Sequence, residues 1–562
     1  MGIVQMVIVL LVLVLLVKPV GTYLYHVFSN EPNKTDRIFG PSERFIYALI
    51  GLNRRPGMSW KRYAASMLLT NIVLVAVSYI LLRLQQSLPL NPNDIGNMEQ
   101  TLTFNTVISF ITNTNLQHYS GETGLSYFSQ MAVITMMMFT SAATGFSVAV
   151  AFVRGITQKG RTMGNFFEDF VKAHTRIFLP AAVIITLLLV ALQVPQTLHS
   201  TLSVTSLEGV AQSIAIGPVA SLESIKHLGT NGGGFFGANS AHPFENPNGL
   251  TNVIEILSMW VLPAALPYTY GLFARNKKQG WVIFSAMMFL FLVFLITVYS
   301  AELCGNPALN RLDIDASQGS MEGKEVRFGI AQSALFTTVT TAATTGTVNN
   351  MHDTLTPLGG MVPMAEMMLN CVFGGKGVGL VNMLMYALLG VFLAGLMVGR
   401  TPEFLGRKIE PREMKLIAIA ILMHPFIILA TTAIAFVTDL GKGAITNPGF
   451  HGISQVLYEY TSSAANNGSG FEGLADNTPF WNITTGLVMI LGRYISMIAM
   501  LAVAGSLCRK QWIPETVGTF RTDNKLFTGI LIGTVLIIGA LTFLPAIVLG
   551  PIAEQLTLAD GR

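Results

Sequence analysis

The sequence predicts an all-α polytopic membrane protein. Ten transmembrane helices are expected, eight of them forming four pseudo-fourfold span–pore-helix–span repeats around a central pore, with one extra helix at each end. Three observations carry this. Of 562 residues, 51% are hydrophobic and 11% charged, where a soluble domain carries about 25% charged residues. Apolar runs long enough to cross a bilayer recur at 3–27, 63–84, 126–153, 175–195, 250–273, 281–301, 358–399, 414–438, 480–507 and 526–549. A short polar junction also recurs four times at near-constant spacing, each time between two of these runs.

These segments divide the chain into an extra N-terminal helix (1–28), four pore repeats (63–153, 175–273, 281–399 and 414–507) and an extra C-terminal helix (526–549). The opening run, MGIVQMVIVLLVLVLLVKP, lacks a basic leader and a small-residue cleavage site, so it reads as a retained span. Orientation follows from Lys and Arg, which accumulate in short cytoplasmic connections. The stretches 29–62, 154–176, 273–280, 400–415 and 508–525 contain seven, five, three, five and four of them, 24 of the 34 in the chain. The alternate connections are long and nearly free of positive charge: 85–125 has none, and 439–481 has only Lys442. Both termini are therefore expected outside the membrane.

Several function classes are excluded by the same reading. The net charge is +4 and the basic residues form no nucleic-acid patch. Cys304, Cys371 and Cys508 lie far apart, and the nine histidines are scattered without metal-ligand spacing. Gly232, Gly234 and Gly237 satisfy the spacing G-x-G-x-x-G, but the flanking strand, helix and downstream acid of a dinucleotide fold are missing. In FGGKGVG (373–379), Gly377 follows Lys376 where a phosphate-binding loop needs Ser or Thr. The phosphorylation sequence D-K-T-G of P-type ATPases does not occur. No nucleophile–base pair stands out either. The chain is expected to bind neither ATP nor Mg2+, and to be no enzyme on its own.

The four junctions read ITNT (111–114), GTNG (229–232), ATTG (343–346) and ANNG (465–468). Their second residues, Thr112, Thr230, Thr344 and Asn466, are 118, 114 and 122 residues apart. The third and fourth copies align further back, ALFTTVTTAATTG over VLYEYTSSAANNG. Each junction follows an apolar segment too short to span, so each unit reads as a span, a re-entrant half-helix, a polar strand and a second span. Four repeats running the same way also differ from the two inverted repeats usual in secondary transporters.

Non-helical backbone at membrane depth must line a polar cavity or be buried in protein. A half-helix entering from outside turns its carbonyl end, with about half a negative charge, toward the membrane centre. Four such ends favour a cation, and the strand that follows can replace the ion's water shell with carbonyl oxygens. Gly232, Gly346 and Gly468 permit backbone angles that a side chain forbids. The junctions contain no carboxylate. That suits a weakly hydrated monovalent ion such as potassium, with sodium the alternative, over a divalent one.

TNTNLQHYSGETGLSYFSQM, LGTNGGGFFGANSAHPFENP, MEGKEVRFG, GRTPEFLGRKIEPREMKL and SSAANNGSGFEGL resemble the potassium-binding A subunits of bacterial Kdp potassium-transporting ATPases, over essentially the whole chain. That family belongs to a superfamily of potassium transporters with four non-identical pore-loop repeats, to which Trk, Ktr and HKT proteins also belong. The resemblance implies a subunit that selects external potassium in a filter and passes it sideways through a protein-lined tunnel to a separate P-type ATPase catalytic subunit. It also implies a single-span accessory subunit, in some complexes a very small further subunit, and a place in the bacterial cytoplasmic membrane. Potassium at the filter is the only metal expected. Carried onto this chain, the filter comprises Thr112 and Asn113; Thr230, Asn231 and Gly232; Thr344, Thr345 and Gly346; and Asn466, Asn467 and Gly468. Gln117 matches a family glutamine associated with ion binding. Two departures stand out: LQHY where relatives often have WQSY, and ATTG where they often have ASCG. A stand-alone potassium channel or ion-coupled symporter of the same superfamily is the alternative, because the physics of the filter is common to all of them.

Two features are expected below the filter. Arg493 interrupts LVMILGRYISMIAML near mid-span, where a charge costs roughly 2.5 to 3.5 kcal/mol on insertion scales, so it should face a polar cavity. The resemblance places an Arg where it obstructs a straight exit to the cytoplasm. The run 358–399 is too long for one crossing and is interrupted by GGKGVG. Broken helices mark binding sites or gates, and the superfamily's gate maps onto Gly374, Gly375 and Gly377. Lys376 and Glu366 in the same run receive no role.

Overall fold

A computed structural model describes residues 2–29, 31–32, 35–52, 56–306, 318–399, 401–514 and 520–560. Lys34, Arg54, Arg55 and Arg400, used above for orientation, lie outside the described residues. Among the described residues, ten helices are long and apolar enough to cross a membrane: Gly2–Phe28, Trp60–Arg83, Ser129–Thr157, Phe166–Ala191, Gly249–Phe273, Lys277–Cys304, Val378–Met397, Pro411–Val437, Pro479–Leu507 and Lys525–Asp560. The protein is a multi-pass membrane protein.

Burial follows the logic of lipid as solvent. In the first helix Met6, Val9, Leu13 and Val17 form a buried stripe at helical spacing, while Ile3, Val4, Ile8, Leu11 and Leu15 are exposed. Such an apolar outer face is stable against acyl chains and would aggregate in water. The central helix, Ser129–Thr157, is buried almost throughout and carries Ser141, Thr144 and Ser147 inside. The extra first helix docks closely on Gly249–Phe273. A Cβ at Gly21 would lie 2.9 Å from both the Ala265 carbonyl and the Tyr268 ring, and Thr269 Oγ1 donates to the Gly21 carbonyl at 3.1 Å. Small residues permit this approach where no hydrophobic force joins helices. Helix starts are locally encoded: Asn248 and Thr251 form a capping box, and Pro411 and Pro479 sit in the first turns of their helices.

Between paired spans lie four half-helices, Gln100–Ile111, Val219–Leu228, Gly329–Ala342 and Phe450–Ala465, here called pore helices one to four. They contain 12, 10, 14 and 16 residues. At about 1.5 Å per residue each falls short of the ~30 Å bilayer core.

The run 358–399 is two helices, Pro357–Leu369 and Val378–Met397. Between them Asn370, Phe373, Gly374, Gly375 and Gly377 all have positive φ. The polar backbone freed by the break finds partners. Gly374 and Gly375 N–H donate to the Ala342 and Ala343 carbonyls at the end of pore helix three (2.7 and 2.6 Å), and Asn382 Nδ2 donates to the Asn370 carbonyl at 2.7 Å. Some elements were not read from the sequence, two of them longer than a single turn or bridge. An amphipathic helix, Asp36–Leu49, is held by Arg176 through Asp36 and Glu43 (2.5 and 2.6 Å). A hairpin pairs Leu202–Thr205 with Ala211–Ile214 in the connection between the fourth and fifth spans.

Candidate functional site: a ring of backbone at four helix ends

The four pore helices terminate in the same way. The N–H groups of Thr114, Asn231, Thr345 and Asn467 reach back five residues to the carbonyls of Ser109, Lys226, Thr340 and Ser462, at 2.9, 2.9, 2.7 and 2.9 Å. The residue before each is left-handed: Asn113, Thr230, Thr344 and Asn466 have φ of 62°, 42°, 50° and 56°. This is the hydrogen-bonded ending that satisfies the last carbonyls of a helix while turning the chain away. A second left-handed residue follows two positions on: Asn115, Gly232, Gly346 and Gly468, at 59°, 103°, 82° and 105°.

These bonds correct the register of the first copy by one residue. Asn113, and not Thr112, is the counterpart of Thr230, Thr344 and Asn466; Thr112 corresponds to Gly229, Ala343 and Ala465. Thr112 belongs to the helix end, where its Oγ1 donates to the Ile108 carbonyl at 2.7 Å and pairs with Thr114 Oγ1 at 2.8 Å. The sequence reading left Thr114 and Asn115 out of the filter positions; they complete the first strand.

The strands lie side by side and close on themselves in chain order. A Cβ built on Gly232 would fall on the Thr345 carbonyl oxygen, one on Gly346 on that of Asn467, and one on Gly468 on that of Thr114. A Cβ on Gly233 would stand 3.0 Å from the Asn115 carbonyl, and Asn113 Nδ2 donates to the Thr230 carbonyl at 2.6 Å. Strand two therefore adjoins three, three adjoins four, four adjoins one, and one adjoins two. Glycine is required at 232, 346 and 468 twice over, by left-handed φ and by the neighbouring carbonyl.

Side chains brace the ring. Asn113 Oδ1 accepts from Ser141 Oγ and Asn231 Nδ2, each at 3.0 Å. Asn466 Nδ2 donates to Thr114 Oγ1 and the Met489 carbonyl (3.0 and 3.1 Å). Asn467 Nδ2 donates to the Thr340 carbonyl at 3.2 Å, and Gly468 N–H to Ser462 Oγ at 2.9 Å. Gln117 pairs with the backbone of strand two. Its Oε1 accepts from Gly234 N–H at 2.8 Å, and its Nε2 donates to the Gly234 carbonyl and Tyr119 hydroxyl, both at 3.2 Å. Asparagine amides thus hold the strands to each other and to the helices behind them. No carboxylate belongs to the ring, and the negative ends of four helices converge on it.

On the pore-helix side of the ring lies the broken helix. A Cβ at Gly375 would stand 3.8 Å from both Thr230 Oγ1 and Thr344 Cβ. Gly374 and Gly377 complete the same turn, so the three glycines assigned to the gate share one loop under strands two and three. Lys376 is buried, and its Nζ has no hydrogen-bond partner among the described residues. Arg493 is buried as well, with one long hydrogen bond from Nη2 to the Ser141 carbonyl at 3.5 Å. Both approach Gly145: a Cβ there would lie 2.8 Å from Arg493 Nη2 and 3.0 Å from the Lys376 carbonyl. Arg493, Gly377, Asn370 and Asn466 line one cavity beneath the fourth strand. Glu366 accepts a hydrogen bond from Thr341 of pore helix three.

On the opposite side Asn115, Gln117, Gly233, Gly346 and Gly468 line a second cavity together with His118 and Asp476. His118 Nε2 lies 3.2 Å from Glu459 Oε1 and 3.7 Å from Asp476 Oδ2. Burial alone would lower the imidazole pKa, but the charge of Asp476 and the bond to Glu459 outweigh it and push it up to about 9. The residue is visible in the sequence as a departure, LQHY, yet its acidic partners lie hundreds of positions away and no local spacing points to them.

Near this face His451 bridges Asp353 (3.0 Å) and Glu554 (2.9 Å), clasping the fourth pore helix to the third repeat and to the last helix. Burial opposes its protonation, but the two carboxylates prevail and raise its pKa to about 9. A histidine raised in the folded state from about 6.5 contributes stability that is full below pH ~6.5 and is lost as pH rises through 9. Between these limits the Tm of the wild type is expected to fall more steeply than that of His451→Gln. Parallel Tm profiles for the two would show that the clasp adds nothing.

Four same-way span–pore-helix–span units, closed around a ring of left-handed backbone, define a four-repeat pore-loop membrane protein. Within that class the chain belongs to the Potassium-transporting ATPase A subunit family, whose sequence profile matches residues 7–556. The Potassium-transporting ATPase potassium-binding subunit of Geobacillus kaustophilus (strain HTA426) is 64% identical over 554 residues, 99% of each chain. The crystal structure of the potassium transporter TrkH from Vibrio parahaemolyticus is similar in architecture, with a TM-score of 0.50 at 14% identity over 78% of this chain and 86% of that one.

Proposed function

We propose that this chain is the potassium-binding and translocating subunit of an ATP-driven, high-affinity potassium uptake complex of the bacterial cytoplasmic membrane, with both termini outside. The observation that carries this reading is the ring itself: four strands whose glycines leave room for the carbonyls of their neighbours, at the negative ends of four half-helices. Potassium enters from the cavity beside Gln117, sheds its water and is held by backbone oxygens of Asn113, Thr114, Thr230, Asn231, Thr344, Thr345, Asn466 and Asn467. Below the ring, Arg493 and the loop of Gly374, Gly375 and Gly377 bar the straight path to the cytoplasm. The ion leaves sideways to a P-type ATPase subunit, which hydrolyses ATP; a single-span subunit and, in some complexes, a very small one complete the assembly. The name of the 64% identical relative supports this assignment over a channel or symporter.

The rigorously purified single chain should neither hydrolyse ATP nor form a phosphoenzyme, whereas the intact complex purified from its own membranes should do both in a potassium-dependent manner. Potassium-stimulated hydrolysis by the single chain would overturn this division of labour. ATP-independent potassium flux through it in proteoliposomes would favour the channel reading.

A further inference from the structure

One cluster borders the entry cavity without belonging to the ring, at the seam between the first and fourth repeats. His118 follows the first filter strand, Glu459 lies on pore helix four, and Asp476 comes from the loop after the fourth strand. One ligand atom from each lies within 4.8 Å of the other two. The Nε2–Oε1 and Nε2–Oδ2 distances are 3.2 and 3.7 Å. Ligands bonded at about 2.0–2.1 Å to a tetrahedral zinc stand about 3.3–3.4 Å apart; the two nitrogen–oxygen distances bracket that spacing, and the two carboxylate oxygens lie within 4.8 Å of each other.

The ring of His118 is also oriented for a metal. Its Nδ1 lies 2.7 Å from Asn482 Oδ1. Asn482 Nδ2 in turn donates to Thr101 Oγ1 and Asn477 Oδ1 at 3.2 and 3.4 Å, which fixes the amide with its oxygen toward the imidazole. Nδ1 therefore carries a hydrogen, and Nε2 is the nitrogen turned to the two carboxylates. A hydrogen bond on the far ring nitrogen is how proteins orient metal-binding histidines. Independently, Glu459 is buried and its Oε2 has no hydrogen-bond partner among the described residues. Asp476 and His118 line the cavity above the ring, which gives an ion a way in.

We propose that His118, Glu459 and Asp476 form a binding site for a divalent transition-metal ion, zinc by the chemistry of one imidazole and two carboxylates, with water completing the shell. The metal displaces the proton that the carboxylates otherwise hold on Nε2. Once bound, it fastens the first repeat to the fourth and, two charges replacing the displaced proton's one, makes the mouth of the filter more positive by one charge, opposing potassium entry.

The test uses the intact purified complex, freed of metal with a chelator and titrated with Zn2+, beside His118→Ser and Asp476→Asn. Potassium binding on the same samples reports that each variant is folded, and Asp476→Asn keeps the side-chain shape if the histidine variant fails. The wild type should bind one Zn2+ per complex that both variants bind at least tenfold more weakly, and Co2+ should give visible ligand-field bands absent from both. Failure of the wild type to bind Zn2+, or equal Zn2+ binding by the wild type and a folded variant, would overturn the assignment.

Discussion

Replacing Gly232 by aspartate should weaken potassium binding by one to two factors of ten, each about 1.4 kcal/mol, with a smaller loss for rubidium or ammonium. The residue has a φ of 103°, which an L side chain rarely adopts, and its Cβ would fall on the Thr345 carbonyl. The oxygen must move or the strand must turn. Either change spoils a ring whose selectivity rests on the number and spacing of its dipoles. The new carboxylate adds charge and bound water where every ring residue is neutral. The dependence of ATPase activity on potassium concentration, in membranes containing the variant complex, measures the effect. Unchanged potassium affinity would remove Gly232 from the filter.

Arg493→Met should leave filter affinity nearly unchanged but disturb turnover or let potassium pass without ATP. The side chain is buried, and its hydrogen bond to Ser141 is long, at 3.5 Å. Deleting one partner of a buried ion pair strands a charge and destabilises the fold. Among the described residues Arg493 forms no ion pair, so methionine strands nothing. What disappears is a positive charge in a low-dielectric cavity beside the Lys376 loop, which repels a second cation strongly. If the ion leaves sideways, that repulsion keeps ATP-driven accumulation from leaking away. Uptake into proteoliposomes with and without ATP compares the two complexes. Wild-type coupling and flux in the variant would move the barrier to the broken helix.

The spans were legible because lipid-facing helices need apolar residues on nearly every side. The seventh betrayed its break by excess length and by GGKGVG. The ring was legible as a repeat, but TNTN offers two registers, and the first copy carries Asn115 where the others carry glycine. Only the back-bonds from Thr114 and its counterparts choose between them. The helix at 36–49 was read for its charges and not for its amphipathic face. The hairpin at 202–214 buries no side chain in its strands, so no inward stripe marked it. The His118 cluster is tertiary in origin: it exists because the first and fourth strands adjoin when the ring closes.

The most direct measurement is the position of the ion. Crystals of the complex grown in rubidium, or in thallium as a heavier potassium mimic, would locate it by anomalous scattering. The ion is expected inside the ring, coordinated by backbone oxygens from all four strands, Thr114, Asn231, Thr345 and Asn467 among them. A site held by carboxylates elsewhere in the chain, with the ring unoccupied at saturating ion, would contradict the account.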